Sequence, residues 1–143
     1  MNNKEEYIDF IKGQMKYFDN KSIKEKRNYY LYSIVSLVAN AMIPILTTFS
    51  SMPSPYKQIV ASLSAIAAIA NGLSMIMNSG KNWKHYRDTF TDLESVLRAY
   101  SVRAGSYNGL DEETAFDKFY ENCEYILKMD RESWEIGTAK AKG

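Results

Sequence analysis

The most constraining feature of this 143-residue sequence is a long segment with almost no charge. Residues 31–80 hold a single charged residue, Lys57, and every other charged residue lies before or after this segment. Within it are two apolar runs, 31–49 and 59–77, that no Asp, Glu, Lys or Arg interrupts. As an α-helix each run is about 28 Å long, close to the roughly 30 Å hydrocarbon core of a bilayer. The pattern predicts two membrane-spanning helices.

The short segment between the runs predicts that the two helices form a hairpin. Pro53 and Pro55 forbid a continuous helix there and leave room for a tight turn. An alternative, favoured by the Ser, Thr and Asn content of the runs, is a soluble or peripheral interaction or scaffold protein whose apolar hairpin is buried in a bundle. Soluble helices usually keep a charged face toward water, so the uncharged runs favour the membrane.

Basic residues flank the hairpin on one side. They precede the first run and follow the second, whereas the turn has Lys57 alone. Because basic residues collect on the cytosolic side of membrane spans, both termini are predicted to face the cytosol. The flanking basic residues are Lys16, Lys21, Lys24, Lys26, Arg27, Lys81, Lys84 and Arg87.

Polar side chains inside the runs form one stripe on each helix when placed at about 100° per residue. Uncharged polar groups in hydrocarbon need partners, so the stripes predict either contacts between helices or the lining of a water-filled path. Two spans cannot enclose a channel, so a pore requires several copies of the chain. The stripe residues are Ser33, Ser36, Asn40 and Thr47 in the first helix, and Ser64, Asn71, Ser74 and Asn78 in the second.

Two further features concern the shape of the spans. Ser64, Ala68 and Gly72 form a row of small residues, which predicts close helix packing. Pro44 lies inside the first run and predicts a kink, because proline cannot donate a backbone hydrogen bond.

The charged flanks also have helical periodicity. Asn2 or Asn3 is predicted to cap a first helix that ends near Phe18. Ser22 and Glu25 have the spacing of a capping box, which predicts that a second helix begins at Ser22 and continues into the first span.

After Gly80, apolar residues recur at alternating steps of three and four, as in a helix that packs against a partner. Gly105 is predicted to end this helix, and Asp111 to cap a last helix with a similar seam. With the N-terminal helix these pieces predict a small antiparallel bundle in the cytosol. The seam residues are Trp83, Tyr86, Phe90, Leu93, Leu97 and Tyr100, then Phe116, Phe119, Cys123 and Ile126.

The predicted fold class is therefore all-α: a two-helix transmembrane hairpin with flanking cytosolic helices, in an oligomer. The length fits a single domain, 1–143. Its predicted parts are 1–30 (cytosolic N-terminal helix and start of the first long helix), 31–49 (span 1), 50–58 (turn), 59–78 (span 2), 79–137 (cytosolic helical region) and 138–143 (tail).

Composition and motifs indicate a protein that is not an enzyme. A net charge of +1 provides no basic field for nucleic acid, and one Cys with one His leaves too few ligands for a metal site. The sequence contains no nucleotide-binding, nucleophile-elbow or zinc-protease motif. We therefore predict no catalytic residue, no cofactor and no metal, and we interpret His85 as a solvated surface residue.

An ordered set of residues around the two spans resembles the SLATT family, which comprises bacterial two-transmembrane modules associated with nucleotide-signalling conflict systems. The resemblance covers nearly the whole chain. It rests on Gln14, Tyr17, Asp19, Ser22, Lys26, Trp83, Tyr86, Arg87, Glu94, Tyr100, Glu124 and Trp134.

The resemblance implies a membrane effector of antiphage defence in the bacterial inner membrane. Such a module oligomerises and perturbs the bilayer, as a pore or otherwise, when a separate sensor or nucleotide-producing protein signals. Its implied partners are the lipid bilayer, further copies of itself and that sensor. Family members often carry an acidic residue before the glycine late in the second span, where this chain has Asn71.

Overall fold

The computed structural model describes residues 3–48, 55–77 and 79–140. Within these residues the chain has four α-helices and no strand, which confirms the all-α class. The elements are α1 (Asn3–Thr48), α2 (Pro55–Met77), α3 (Ser79–Ser101), a 3₁₀ turn (Gly105–Tyr107) and α4 (Glu112–Lys140). Pro55 begins α2, whereas most of the predicted turn lies outside the described residues.

The first helix is longer than the sequence predicts. α1 continues without a break through Ser22, so the predicted helix start at that residue is wrong. Residues 14–43 contain neither glycine nor proline, and Asp19 and Asn20 alone do not stop a helix. Ser22 is buried, and its hydroxyl donates to the backbone carbonyl oxygen of Trp83 at 3.2 Å instead of capping a helix.

The chain divides into two compact units, which we describe separately. The flank unit comprises residues 1–21 and 85–143, and the middle unit comprises residues 22–84. The assignment of all 143 residues to one domain stays a prediction.

The flank unit is a helical bundle around one aromatic core, which confirms the predicted bundle. Phe119 of α4 stacks on Tyr100 of α3, with ring centroids 4.6 Å apart, and the Tyr7 hydroxyl of α1 donates to Glu124 at 3.1 Å. The contacts of Tyr100 with Glu112 and of Thr89 with Asp130 show that α3 and α4 are antiparallel. The buried core consists of Ile11, Phe18, Leu93, Tyr100, Tyr107, Ala115, Phe119 and Cys123.

The connection between α3 and α4 has well-defined ends. The amide of Ala104 donates to the Ala99 carbonyl, and Arg103 adopts a left-handed conformation with φ 54°, as in a Schellman motif. The predicted cap at Asp111 is confirmed: its carboxylate accepts from the amides of Glu113 and Thr114, both at 3.1 Å.

The last helix extends further than predicted. α4 ends at Lys140, so the first three residues of the predicted tail, 138–140, are helical. Their Thr, Ala and Lys side chains do not break a helix, and the preceding Gly137 is tolerated inside it.

The middle unit pairs the second half of α1 with α2 and the start of α3. Ser36 contacts Asn71, and Tyr29 lies against Gly80, so the chain directions of the paired segments are opposite. A Cβ atom at Gly80 would lie 3.0 Å from the Tyr29 ring, so the absence of a side chain there allows the close approach.

Candidate functional site

The buried residues of the α1 and α2 pair are small. Ala39 of α1 and Ala67 and Ala70 of α2 are each 5% exposed or less, and Ser36 beside Ala39 is also buried. Small side chains let helix backbones approach closely. Sequence reasoning missed these alanines, although pairs of small residues three apart, at 36 and 39 and at 67 and 70, mark the contacting faces.

Three predicted stripe residues meet at this contact. The Ser36 hydroxyl of α1 donates to the side-chain carbonyl oxygen of Asn71 of α2 at 2.6 Å. The Asn40 amide nitrogen donates to the Ser36 oxygen at 3.2 Å. We call these three residues the polar trio. It joins the two helices through hydrogen bonds at a position surrounded by apolar side chains.

The polar trio has unused hydrogen-bonding capacity. Ser36 is buried, whereas Asn40 and Asn71 are exposed. Within the described residues, the Asn71 amide nitrogen and the Asn40 carbonyl oxygen make no side-chain hydrogen bond. The trio therefore presents a donor and an acceptor at the surface of the helix pair.

The other stripe residues are not brought together. The Thr47 hydroxyl donates to the Pro44 carbonyl at 3.0 Å, and the Ser64 hydroxyl donates to the Val60 carbonyl at 2.9 Å, so both bond within their own helix. Ser33 is half-buried. The side chain of Ser74 and all of Asn78 lie outside the described residues.

The predicted row of small residues does not form the contact between α1 and α2. Ser64 and Ala68 are exposed, and a Cβ atom at Gly72 would meet nothing within 4 Å. Close packing of this row stays a prediction for contacts with other molecules. Pro44 lies inside α1, which continues to Thr48, and the kink there stays a prediction.

The outer surface of the α1 and α2 pair is apolar and exposed. Leu37 is 70% exposed and Ile69 is 62% exposed, far more than core residues of a folded domain. We call this surface the apolar face. Its large members are Leu31, Ile34, Val35, Leu37, Val38, Met42, Ile45, Ile59, Ile66, Ile69 and Leu73.

The residues that carry the family resemblance fall in both units. In the middle unit, Ser22, Lys26 and Trp83 lie together, with the Lys26 ammonium 5.4 Å from the centre of the Trp83 ring. In the flank unit, Arg87 pairs with Asp19 at 3.1 Å. Tyr100 and Glu124 make the core contacts given above, Glu94 pairs with Arg98 on α3, and the side chain of Trp134 is outside the described residues.

Three more of these residues share a groove in the flank unit. Gln14, Tyr17 and Tyr86 line an open groove of about 410 Å³ together with Asp130 and Arg131. The groove mixes aromatic rings with amide, carboxylate and guanidinium groups.

His85 lies in a local hydrogen-bonding network, which differs from the predicted solvated surface residue. Its Nε2 atom lies 2.8 Å from the Asp130 carboxylate and 3.2 Å from the Ser133 hydroxyl. The Thr89 hydroxyl also donates to Asp130, at 3.2 Å. This network joins α3 to α4.

Burial in the flank unit changes two acid–base groups. Desolvation raises the pKa of the Cys123 thiol to about 12, and the nearby Glu124 carboxylate adds to this. Burial also raises the pKa of Tyr7 above its ordinary value. Both groups are therefore neutral at physiological pH. Among the described residues, no group of three or more His, Cys, Asp or Glu is placed to hold a metal ion.

The protein is thus all-α, and one of its described helices is long and apolar enough to cross a membrane. Among the described residues, α1 is long and apolar enough by length and composition, and 11% of its apolar window is buried. The apolar stretch found in α2, Lys57–Leu73, is shorter.

The chain belongs to the family described as "Protein of unknown function (DUF4231)", whose model matches residues 13–115. Searches of curated proteins and of solved structures found no match.

Proposed function

We propose that this chain is an oligomeric two-span membrane protein that makes the bilayer permeable. Residues 31–49 and 59–77 cross the membrane as an antiparallel pair, and both termini lie in the cytosol. The observation that carries the proposal is the polar trio set in an exposed apolar face.

The apolar face supports the membrane assignment. A soluble monomer rarely exposes a large continuous apolar patch, because water orders or reorganises around it at a free-energy cost. Leu37 and Ile69 each expose well over half of their surface. Lipid acyl chains cover such side chains without any further protein partner. The flanking basic residues support the cytosolic location of both termini.

The polar trio supports self-association. The Asn71 amide nitrogen and the Asn40 carbonyl oxygen find no water in hydrocarbon, and each unsatisfied group there costs free energy. A second copy of the helix pair supplies partners for both groups. Several copies with their trios turned inward would line a polar path through the bilayer, which is the route we propose for ions.

The biological setting we propose rests on the resemblance to the SLATT family. In that setting the chain is an effector of bacterial antiphage defence, is not an enzyme, and responds to a separate sensor or nucleotide-producing protein. The groove lined by Gln14, Tyr17 and Tyr86 offers a surface on the flank unit for that partner.

Replacing Asn40 and Asn71 by Leu tests the proposal. Leucine keeps the helices apolar, so the double variant should still insert into membranes. It removes the donor and the acceptor of the trio, so we expect ion leakage from vesicles reconstituted with the native protein to be lost. Ser62→Leu is the control, because Ser62 is exposed on α2 but belongs to neither the trio nor the stripes.

Two measurements decide between the interpretations. Equal leakage from native and double-variant vesicles would remove the pore assignment. If the double variant no longer forms the oligomer in detergent, and vesicles with the native protein show no leakage, the trio serves helix association alone.

A further inference from the structure

The middle unit carries a strong excess of positive charge. It contains one acidic residue, Glu25, whereas the flank unit contains an excess of acidic residues. Apart from Lys57, the cations of the middle unit lie in two short segments just before residue 31 and just after residue 80. They are Lys24, Lys26, Arg27, Lys81 and Lys84, and all five are exposed.

Contacts within the middle unit bring these two segments together. The Ser22 hydroxyl bonds to the Trp83 carbonyl, and the Tyr29 ring lies against Gly80. The ammonium groups of Lys26 and Lys84 lie 5.4 and 6.0 Å from the centre of the Trp83 ring. Two positive charges that are distant in sequence therefore share one indole.

No carboxylate in the described part of the chain pairs with these five cations. The Oε2 atom of Glu25 is buried and has no hydrogen-bond partner in the described residues. Five exposed cations that have no ion-pair partner among the described residues can attract an anion from outside the chain. A phosphate group is favoured at such a place, because its oxygen atoms can meet two ammonium groups at once.

The surface next to the cations is apolar. Tyr30 is 50% exposed and Leu31 is 55% exposed, and Ile34 follows one turn later on the same helix. A ligand that covers both surfaces needs an anionic group joined to hydrocarbon chains. That combination is the chemistry of an anionic phospholipid.

We infer that Lys26, Trp83 and Lys84 form a binding site for the phosphate of an anionic phospholipid, whose acyl chains lie along the apolar face near Leu31. The two ammonium groups bind the phosphate, and the indole lies at the headgroup level. This inference rests on the proposed membrane insertion and adds a preference for one class of lipid.

Fluorescence quenching of Trp83 tests the site directly. The chain has two tryptophans, so Trp134→Phe leaves Trp83 as the only one. The full chain is reconstituted into bilayers of phosphatidylcholine and phosphatidylglycerol. In one set of bilayers the phosphatidylglycerol carries brominated acyl chains, and in the other set part of the phosphatidylcholine carries them. The quenching curves give the affinity of phosphatidylglycerol relative to phosphatidylcholine next to Trp83.

One basic side chain near an anionic surface strengthens binding about fivefold, so two give a relative affinity of about 10- to 30-fold for phosphatidylglycerol. We expect Lys26→Gln with Lys84→Gln to bring this ratio close to one. Lys57→Gln with Lys118→Gln removes the same charge elsewhere and should leave the ratio unchanged.

The outcomes separate this inference from the proposed function. Equal quenching by both lipids in the native protein would overturn the lipid site while leaving membrane insertion intact. A preference that survives Lys26→Gln with Lys84→Gln would also overturn it. If no brominated lipid of either kind quenches Trp83, the proposed insertion fails as well.

Discussion

Replacing Phe119 by alanine should destabilise the flank unit more than most other single changes. Phe119 is fully buried, stacks on Tyr100 at 4.6 Å and meets Tyr7 edge to face at 6.1 Å. A buried phenylalanine removes about 150 Å² of apolar surface from water, worth about 4 kcal/mol at roughly 25 cal/mol per Å². Alanine retains part of that burial, whereas the lost stacking and the cavity add to the cost, so we expect a loss of about 3–5 kcal/mol in the free energy of unfolding.

Hydrogen exchange measured by mass spectrometry is the suitable assay. It gives the opening free energy of α3 and α4 peptides in the full chain in detergent, separately from the apolar helices. Tyr125→Ala is the control, because Tyr125 lies on α4 with 65% exposure and should change the free energy by about 0.5 kcal/mol or less. A loss below about 1 kcal/mol for Phe119→Ala, or equal losses for both variants, would refute this description of the core.

Two pH-dependent predictions concern the same unit. The thiol of Cys123 should resist iodoacetamide at pH 8 and react after denaturation. The free energy of unfolding should fall as pH rises from 9 toward about 12, because only the thiol of the unfolded chain ionises in that range. Rapid alkylation of the native protein would contradict this. The hydrogen bond from the Thr114 side chain, together with those from the Thr114 and Glu113 amides, lowers the pKa of Asp111. The contribution of Asp111 to stability should therefore be lost as pH falls below its ordinary range, and Asp111→Asn should remove that dependence. A series of thermal denaturation curves at acid pH measures this dependence. The same pH profile in Asp111→Asn as in the native protein would refute the prediction.

Periodicity predicted the flank unit well. Their spacing alone predicts that Leu93, Tyr100 and Phe119 lie in packing seams, and all three are buried in one core. The Asp111 cap was predictable for the same reason, because a capping side chain and the amides it binds are neighbours in sequence. Features of this kind depend only on residues that are close to one another in sequence.

Local signals were misleading where contacts between residues distant in sequence determine the structure. Ser22 has the spacing of a capping box, yet its hydroxyl binds the carbonyl of Trp83, 61 residues away. The helix therefore continues through Ser22, because nothing in the local sequence breaks it.

The candidate site was predictable only in part. The stripes placed Ser36, Asn40 and Asn71 on polar sides of their helices, but periodicity does not say which residue faces which partner. The same limit explains why the spacing predicts close packing for Ser64 and Ala68, whereas Ala67 and Ala70 are the small residues of α2 that are buried. Both rows consist of small residues, and only the geometry of the helix pair separates them.

The central claim, that the apolar face lies in lipid, is tested most directly by placing a charge on it. We would express native protein and Leu37→Lys with Ile69→Lys in bacteria, extract the membranes with alkaline carbonate, and measure the retained fraction and its size in detergent. In hydrocarbon each lysine costs about 2.5–3.5 kcal/mol, so the native protein should stay in the membrane as a defined oligomer and the double variant should be released or degraded. Release of the native protein as a soluble monomer, with the double variant equally soluble and stable, would contradict the account.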